Sequence, residues 1–487
     1  MDDTFTSSGR MVPFSSKFAF GVGQFSEGLK NTAFSLFILF YYNQVLGLSG
    51  SLAGGALFIA LLFDAITDPL AGSLSDNFRS KLGRRHPFMY MSAIPLAVAF
   101  VGLFSPPEDI SELSLFVWLI IFSVLTRGAM TLYHVPHLAL GAELTEDFHE
   151  RTKIVGFRQF FGTLGSASAV VIGLGYFFAD SAGGRLTTEN YTPYAVTLGI
   201  LMVVTIWYSA YGTQKEISFL SLPQETPRIG IFKQFLEEAR KAFINRSFTW
   251  LFFGVLIVFV MSGVNNALDL YMFQYFWELN GTQMLGIQLA LMAGLMFGVF
   301  LTPTLHRYTD KKFGVILGTG AWAMVQVIPV AMRLADLFPD NGDPTLIATL
   351  VTLKFVQGVL LQQALVSFGS MMADVADEHE YQTGLRQEGI FFGAIAFSAK
   401  ATSGFGSFIA GLGLDIIQWP RGATIKVASD IPTETLINLG LLYGPIVAAF
   451  GIVSLWCYTH YQLTEERHSE ILKELRKRKA RLTSLLP

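Results

Sequence analysis

The sequence predicts an all-α integral membrane protein with twelve spanning helices in two six-helix halves. Three observations predict it. Of the 487 residues, 52% are hydrophobic and only 15% are charged, where a soluble chain carries about 25% charged residues. Apolar runs of the length that crosses a bilayer, about 20 residues, recur along the chain. The basic residues are shared very unequally between alternate loops.

The runs of the first half fall at 17–47, 51–78, 88–105, 111–143, 154–180 and 193–213. Those of the second fall at 248–279, 284–306, 315–338, 344–374, 389–418 and 434–461. Pro69, Pro136 and Pro303 lie inside runs; in lipid, neighbouring helices re-satisfy the backbone groups that proline releases. One set of loops and both termini hold 25 Lys and Arg, against four on the other set, Arg185, Arg333, Arg421 and Lys426. Basic residues mark the cytoplasmic side, so both termini are expected inside, in a plasma or bacterial inner membrane. The break at 214–247 separates the halves 1–213 and 248–461. Ile231, Phe232, Phe235, Leu236, Ala239 and Phe243 recur there at helical spacing, with Lys233, Arg240 and Lys241 between them. This reads as a linker helix lying on the inner leaflet. The tail, 462–487, is basic and amphipathic, and is expected to rest on anionic lipid.

Composition also excludes. A net charge of −3 gives no bulk attraction to nucleic acid, and no such partner is expected. Cys457 is the single cysteine, which rules out internal disulfides and cysteine metal clusters. "MDDTFTSSGRMVPF" lacks the pattern of a cleaved signal. "EHEYQ" at 378–382 lacks the second histidine of a zinc-protease helix. No nucleophile motif is present, so an enzyme is not expected. A sensor or scaffold on a transporter fold is the third class; the retained intramembrane charges argue against it.

Those charges carry the functional reading. A charge at mid-bilayer costs about 2.5–3.5 kcal/mol on insertion scales and marks a functional candidate. Asp64 and Asp68, in "LLFDAITDPL", share one helix face. Two like charges there are relieved by a cation or a proton. Their carboxylates, with the hydroxyl of Thr67 or Thr131, supply the hard oxygens that sodium takes, as calcium and magnesium do. The competing reading is a structural pair of salt bridges to Lys400, Arg158 or Lys30. His134 shares a face with Thr131. Arg158 either binds substrate or staples helices. Lys400 needs a distant partner, and the acidic pair is the obvious one. Glu27 and Lys30 stand three apart and pair readily with each other. Asn265, Asn266 and Asp269 are polar enough to line a cavity. Arg127 and Lys354 complete the basic residues within spans.

Asp76, Arg79, Arg84 and Arg85, in "LSDNFRSKLGRRHPF", look hydrated and close the cytoplasmic end of the second span. They read either as a gate that locks and releases helices or as plain positive-inside anchoring. "HRYTDKKFG" after the eighth span echoes "RSKLGRRHP" after the second. Parallel six-span halves with a cytoplasmic linker describe the twelve-helix major facilitator fold, which binds substrate near the midplane and rocks around it.

"DAITDP" with "RSKLGRRHPF", and "MADVADEHEYQTGLRQEGIFFGAIAFSAKATSG", resemble the second-helix and eleventh-helix signatures of the glycoside–pentoside–hexuronide:cation symporters. The resemblance spans both halves. It implies a cation-coupled symporter of a small organic substrate, a sugar or glycoside, working by alternating access without a cofactor. The coupling ion it implies is Na+, with H+ the alternative. Asp64 and Asp68 match the family's two cation-site aspartates, Thr131 its nearby hydroxyl, Arg158 its substrate-region arginine and Lys400 its helix-eleven lysine. There are departures. Where the melibiose permease anchors sugar with a helix-one aspartate, this chain has the Gly28 region, with Glu27 adjacent. A second sugar-binding aspartate corresponds to His134. The ion site is therefore retained and the galactoside site is not. The sodium-dependent lysophospholipid symporters resemble the chain at "DAITDP", "HVP" and "IFFGAIAFSAKATSG", which keeps an amphipathic lipid as the alternative substrate. The implied partners are one small molecule, a monovalent cation and membrane lipid, around a monomer.

Overall fold

The computed structural model describes residues 11–484 except 146, 220–239, 241, 307, 385–387 and 423. Most of the expected linker helix, from Ile231 to Ala239, lies outside the described residues. Among those described, twelve helical segments occupy the twelve expected runs. In the first half they are α1 (14–45), α2 (Gly50–Asn77), α3 (His86–Leu103), α4 (Glu112–Glu143), α5 (148–177) and α6 (Tyr191–Thr213). In the second they are α7 (246–276), α8 (Gly281–Leu305), α9 (Lys311–Leu334), α10 (Pro344–Thr383), α11 (Glu388–Ile416) and α12 (433–459). A thirteenth, α13 (Glu465–Ser484), follows. Ten of the helices are apolar and long enough to cross a bilayer by length and composition. No strand occurs among the described residues.

Local sequence sets the helix starts. Ser111, Asp147, Asp310 and Asp343 each turn a side-chain oxygen to a backbone N–H of the first turn of α4, α5, α9 and α10. Such caps satisfy donors that the helix itself leaves over. The Thr345 N–H and hydroxyl hold the Asp343 carboxyl below the usual carboxylate range. Pro344 then takes the first position of α10, where a missing N–H costs nothing. Gly384, at φ 73°, ends α10 in the left-handed region. The expected run stopped at 374, yet the helix continues to Thr383. Once clear of lipid, "ADVADEHEYQ" needs helix-forming residues rather than apolar ones.

Single π turns lie inside α1 and α12, at 33–37 and 442–446, and close α1, α5 and α7, at 41–45, 173–177 and 272–276. Hydropathy carries no signal for them.

The chain forms two compact units. One takes in the residues up to Pro227 with Asn266–Leu285 and Ser403–Leu436; the other takes in Arg228–Asn265, Gly286–Thr402 and Ile437 onward. In the first unit α1 packs on α5 and α6, and α4 on α2 and α3. Small residues allow the approach. A Cβ at Gly28 would collide with the Gly162 carbonyl, and one at Gly165 with the Phe25 carbonyl. Close backbone contact through glycine is how helices associate where no hydrophobic drive separates them from lipid. The end of this unit that carries the 178–190 loop is an aromatic core. Tyr41 stacks on Tyr191 at 4.0 Å, Phe178 lies 4.5 Å from Tyr191, and the Tyr271 hydroxyl donates to Asn43 at 2.8 Å.

In the second unit α9 packs on α10 and α12. The tail helix α13 packs on α10. Its Ile471 and Leu475, 2% and 7% exposed, join Phe248, Val375, Ala376 and Tyr461 in one core. The apolar face expected to meet lipid is therefore buried against protein.

Candidate functional site

The site is built on one stripe of α4. Arg127, Thr131 and His134 stand at i, i+4 and i+7, which a helix places on one face. Opposite runs the stripe of α2 that carries Asp64 and Asp68. The Arg127 guanidinium donates to Asp64 Oδ2 at 2.7 Å, and the Thr131 hydroxyl donates to Asp68 Oδ1 at 2.8 Å. Both pairs are separated by the same 63 residues, the fixed register of two parallel helices. The first pair is dry: the Arg127 and Asp64 side chains are 2% and 4% exposed. Arg127 also donates to the Ser403 hydroxyl at 2.7 Å and lies 5.2 Å over the Phe34 ring. The buried Lys30 ammonium approaches the same ring at 5.8 Å.

The salt bridges weighed as the alternative to a bound ion involved Lys400, Arg158 or Lys30; Arg127, not among these, donates to Asp64. Spacing held a signal, since Arg127 lies one turn before Thr131. Like charges on α2 are thus met by unlike groups on α4, a guanidinium and a hydroxyl. Thr67 donates its hydroxyl back to the Phe63 carbonyl at 3.1 Å.

A second group gathers one turn further along α4. His134 Nδ1 lies 3.1 Å from Glu27 Oε2 on α1, and Gln24 donates to the same carboxylate. Arg158, half-buried on α5, lies within electrostatic reach of Glu27. Three expected substrate residues, from α1, α4 and α5, are therefore neighbours. Gln24 and His134 are at the Glu27 carboxylate. Asn266, also in the first unit, is half-buried on α7, and Asp269 is buried. Lys400 is half-buried on α11 in the second unit.

At the C-terminal end of α2 the charges are not all hydrated. Arg85 is 4% exposed. It donates to Glu143 Oε1 at 2.7 Å and to the Ser75 hydroxyl at 2.6 Å, and it pairs with Asp76. Arg84 reaches the same Glu143 oxygen at 2.9 Å. Glu143, at the end of α4, joins the group as an acid that the sequence reading did not single out. Arg79 is exposed. The second unit repeats the plan by itself. Lys311, in the echoing "TDKKFG" stretch, pairs with Asp374 of α10 at 2.7 Å. In each unit a basic residue after the half's second span is held by an acid at the end of its fourth.

The geometry can hold a cation at carboxylate and hydroxyl oxygens, and can present hydrogen-bonding groups to a polar solute. Among the described residues no three His, Cys, Asp or Glu gather as a metal cluster.

Comparisons agree with this outline. The MFS/sugar transport protein family profile matches residues 19–465. An uncharacterized symporter of Synechocystis sp. is 24% identical over 97% of this chain and 98% of its own length. The isoprimeverose transporter of Lactiplantibacillus pentosus is 23% identical over 91% of this chain and 88% of its own. The crystal structure of a D-xylose-proton symporter shares the fold, with a TM-score of 0.61 at 14% identity, covering 93% of this chain and 98% of that one. These relatives are transporters, not enzymes. The chain is an integral, multi-pass membrane protein of the MFS/sugar transport protein family, in its glycoside–pentoside–hexuronide:cation symporter branch.

Proposed function

We propose that the protein is a sodium-coupled symporter of a sugar or glycoside, working by alternating access, with Asp68 and Thr131 as the principal cation seat. One observation carries the cation half of this reading. The Thr131 hydroxyl donates to Asp68 Oδ1 at 2.8 Å, which sets a carboxylate and a hydroxyl oxygen side by side, the hard-oxygen ligands that a monovalent cation takes. Pro69 has no N–H to offer the Ala65 carbonyl, so a backbone oxygen of the same turn adds to the donor set. Sodium takes such hard oxygens, whereas a proton needs the carboxylate alone.

The substrate half rests on Glu27, His134 and Arg158. Together they offer acceptors and donors that suit hydroxyl groups. Asn266, in the same unit, completes the proposed substrate set there. The names of the relatives, a symporter and an isoprimeverose transporter, point the same way. Arg84, Arg85, Asp76 and Glu143 serve as a cytoplasmic latch, with Arg79 at its exposed edge. Both termini lie in the cytoplasm of a plasma or inner membrane, and the unit of transport is the monomer.

The test is uptake into proteoliposomes from a panel of labelled glycosides and lysolipids, under a sodium gradient, a pH gradient, or neither. Sodium-stimulated glycoside uptake is expected, and Asp68→Asn should abolish the stimulation. Stimulation by the pH gradient alone would replace sodium with a proton. Wild-type sodium stimulation in Asp68→Asn would remove Asp68 from the mechanism, and uptake confined to lysolipids would overturn the substrate.

A further inference from the structure

A cleft of about 430 Å³ lies at the aromatic end of the first unit, between the 180–187 loop, the end of α7 and the loop before α12. Its volume falls in the range of small-molecule sites, roughly 300–1,000 Å³. Arg185, Gln274, Lys426, Asp180 and Thr187 line it. On the orientation expected from the basic residues this face is external, and the groups at α2 and α4 do not contribute to it.

Arg185 is 4% exposed, unusual for an arginine in a loop. Its backbone carbonyl accepts from the Tyr191 hydroxyl at 2.7 Å, and its Nη2 donates to the Leu279 carbonyl at 3.1 Å. Its Nη1 stands 3.8 Å from Asp180 Oδ1. These contacts fix the guanidinium. They leave Nε buried with no hydrogen-bond partner among the described residues. Gln274 shows the complementary pattern. Its Nε2 donates to the Lys426 carbonyl at 3.0 Å, and its Oε1 is buried with no partner. Buried polar groups are normally paired, so an unsatisfied donor and an unsatisfied acceptor on two residues that line one cleft point to a ligand that has both.

Charge selects the kind of ligand. Arg185 and the exposed Lys426 bring two positive charges to the cleft. The one acidic lining residue, Asp180, stands 3.8 Å from Arg185 and answers one of them, so the cleft keeps a net positive charge. A bare anion would meet Arg185 and Lys426 but leave Gln274 Oε1 unpaired. A neutral sugar would satisfy Gln274 but leave the positive charge unanswered. We propose that this cleft is a second, exofacial binding site for a small hydroxylated carboxylate. The carboxylate binds Arg185 Nε and the Lys426 ammonium, and a hydroxyl of the same molecule donates to Gln274 Oε1. Gly184, at φ 78°, forms part of the wall. A Cβ there would meet nothing within 4 Å, which leaves the loop side of the cleft clear.

The experiment is isothermal titration calorimetry of the full chain in neutral detergent, in sodium-free buffer, with D-glucuronate, D-glucose and inorganic phosphate as probes. Glucuronate is expected to bind and glucose is not. Lys426→Gln, an exposed change that leaves packing alone, should weaken glucuronate roughly three- to fivefold, as loss of an exposed ion pair does. Arg185→Gln should abolish binding; if that variant does not fold, the Lys426 variant decides. Asp68→Asn should bind glucuronate as wild type does, which separates this site from the proposed transport site. Absent glucuronate binding, an unchanged Kd in Lys426→Gln, or loss in Asp68→Asn would each overturn the proposal. Phosphate binding as tight as glucuronate would reduce the site to an anion site without hydroxyl recognition, and would overturn it too.

Discussion

At the scale of residues, the contact between Arg127 and Asp64 decides how the acidic pair of α2 is tolerated. Both side chains are dry, and breaking a buried pair by removing one member costs about 3–5 kcal/mol, because the other charge stays behind. Arg127→Leu should therefore lower the melting temperature of the purified protein by several degrees. Removing both charges avoids that penalty, so Asp64→Asn with Arg127→Leu should recover most of the lost stability. The double variant is expected to melt near wild type. A thermal cycle over the four proteins measures the coupling. If Arg127→Leu melts like wild type, the guanidinium is not what holds Asp64. Thr131 differs in kind: its hydroxyl donates to Asp68 at 2.8 Å, where Asp64 accepts from a guanidinium.

At the scale of elements, α13 shows how composition and position can point apart. Its sequence is basic and amphipathic, the pattern of a helix resting on anionic lipid. Its apolar residues instead complete a protein core with the start of α7 and the ends of α10 and α12. His468 lies 3.1 Å from Asp377, and Arg478 sits 4.6 Å over the Tyr381 ring while donating to its carbonyl. Lys473, Arg476 and Lys477 are exposed and leave the basic face outward. The two faces make separable predictions. Alanine at Ile471 and Leu475 opens a core, and each change should cost about 2–4 kcal/mol. Glutamine at Lys473 and Lys477 should leave the melting temperature within a degree or two, because exposed charges contribute little. Thermal unfolding in detergent reads both. Should the alanine variants melt as wild type does, the packing of α13 is incidental to stability.

For the whole molecule, much was legible in the sequence because the bilayer imposes one strong rule. Every backbone group must be satisfied within the span, so apolar runs become helices, and the expected runs are matched closely by the helices found. Asp64 and Asp68 stand out in the sequence for a similar reason, since charge in lipid is costly, whereas Thr131 was named for its hydroxyl and through the resemblance. What escaped were features fixed by neighbours rather than by the local chain. The pairing of Arg127 with Asp64 depends on the register of α2 against α4. The burial of Arg85 depends on Glu143, which lies 58 residues away. The π turns follow no hydropathy. Orientation rests on a different quantity, the placement of basic residues, and it can be tested on the intact protein. Cys457 is the sole cysteine and is 3% exposed, so Cys457→Ser gives a quiet background for reporters. Asp340, whose side chain is 96% exposed, lies in the loop between α9 and α10, and Glu466 is exposed at the start of α13. With basic loops inside, Asp340→Cys faces outward and Glu466→Cys faces the cytoplasm. A membrane-impermeant maleimide should label the Asp340 reporter on intact cells, and the Glu466 reporter only after the membrane is opened. Labelling of Glu466→Cys from outside would invert the topology. It would also turn the Arg185 cleft toward the cytoplasm, so this measurement decides which solutes that cleft can meet.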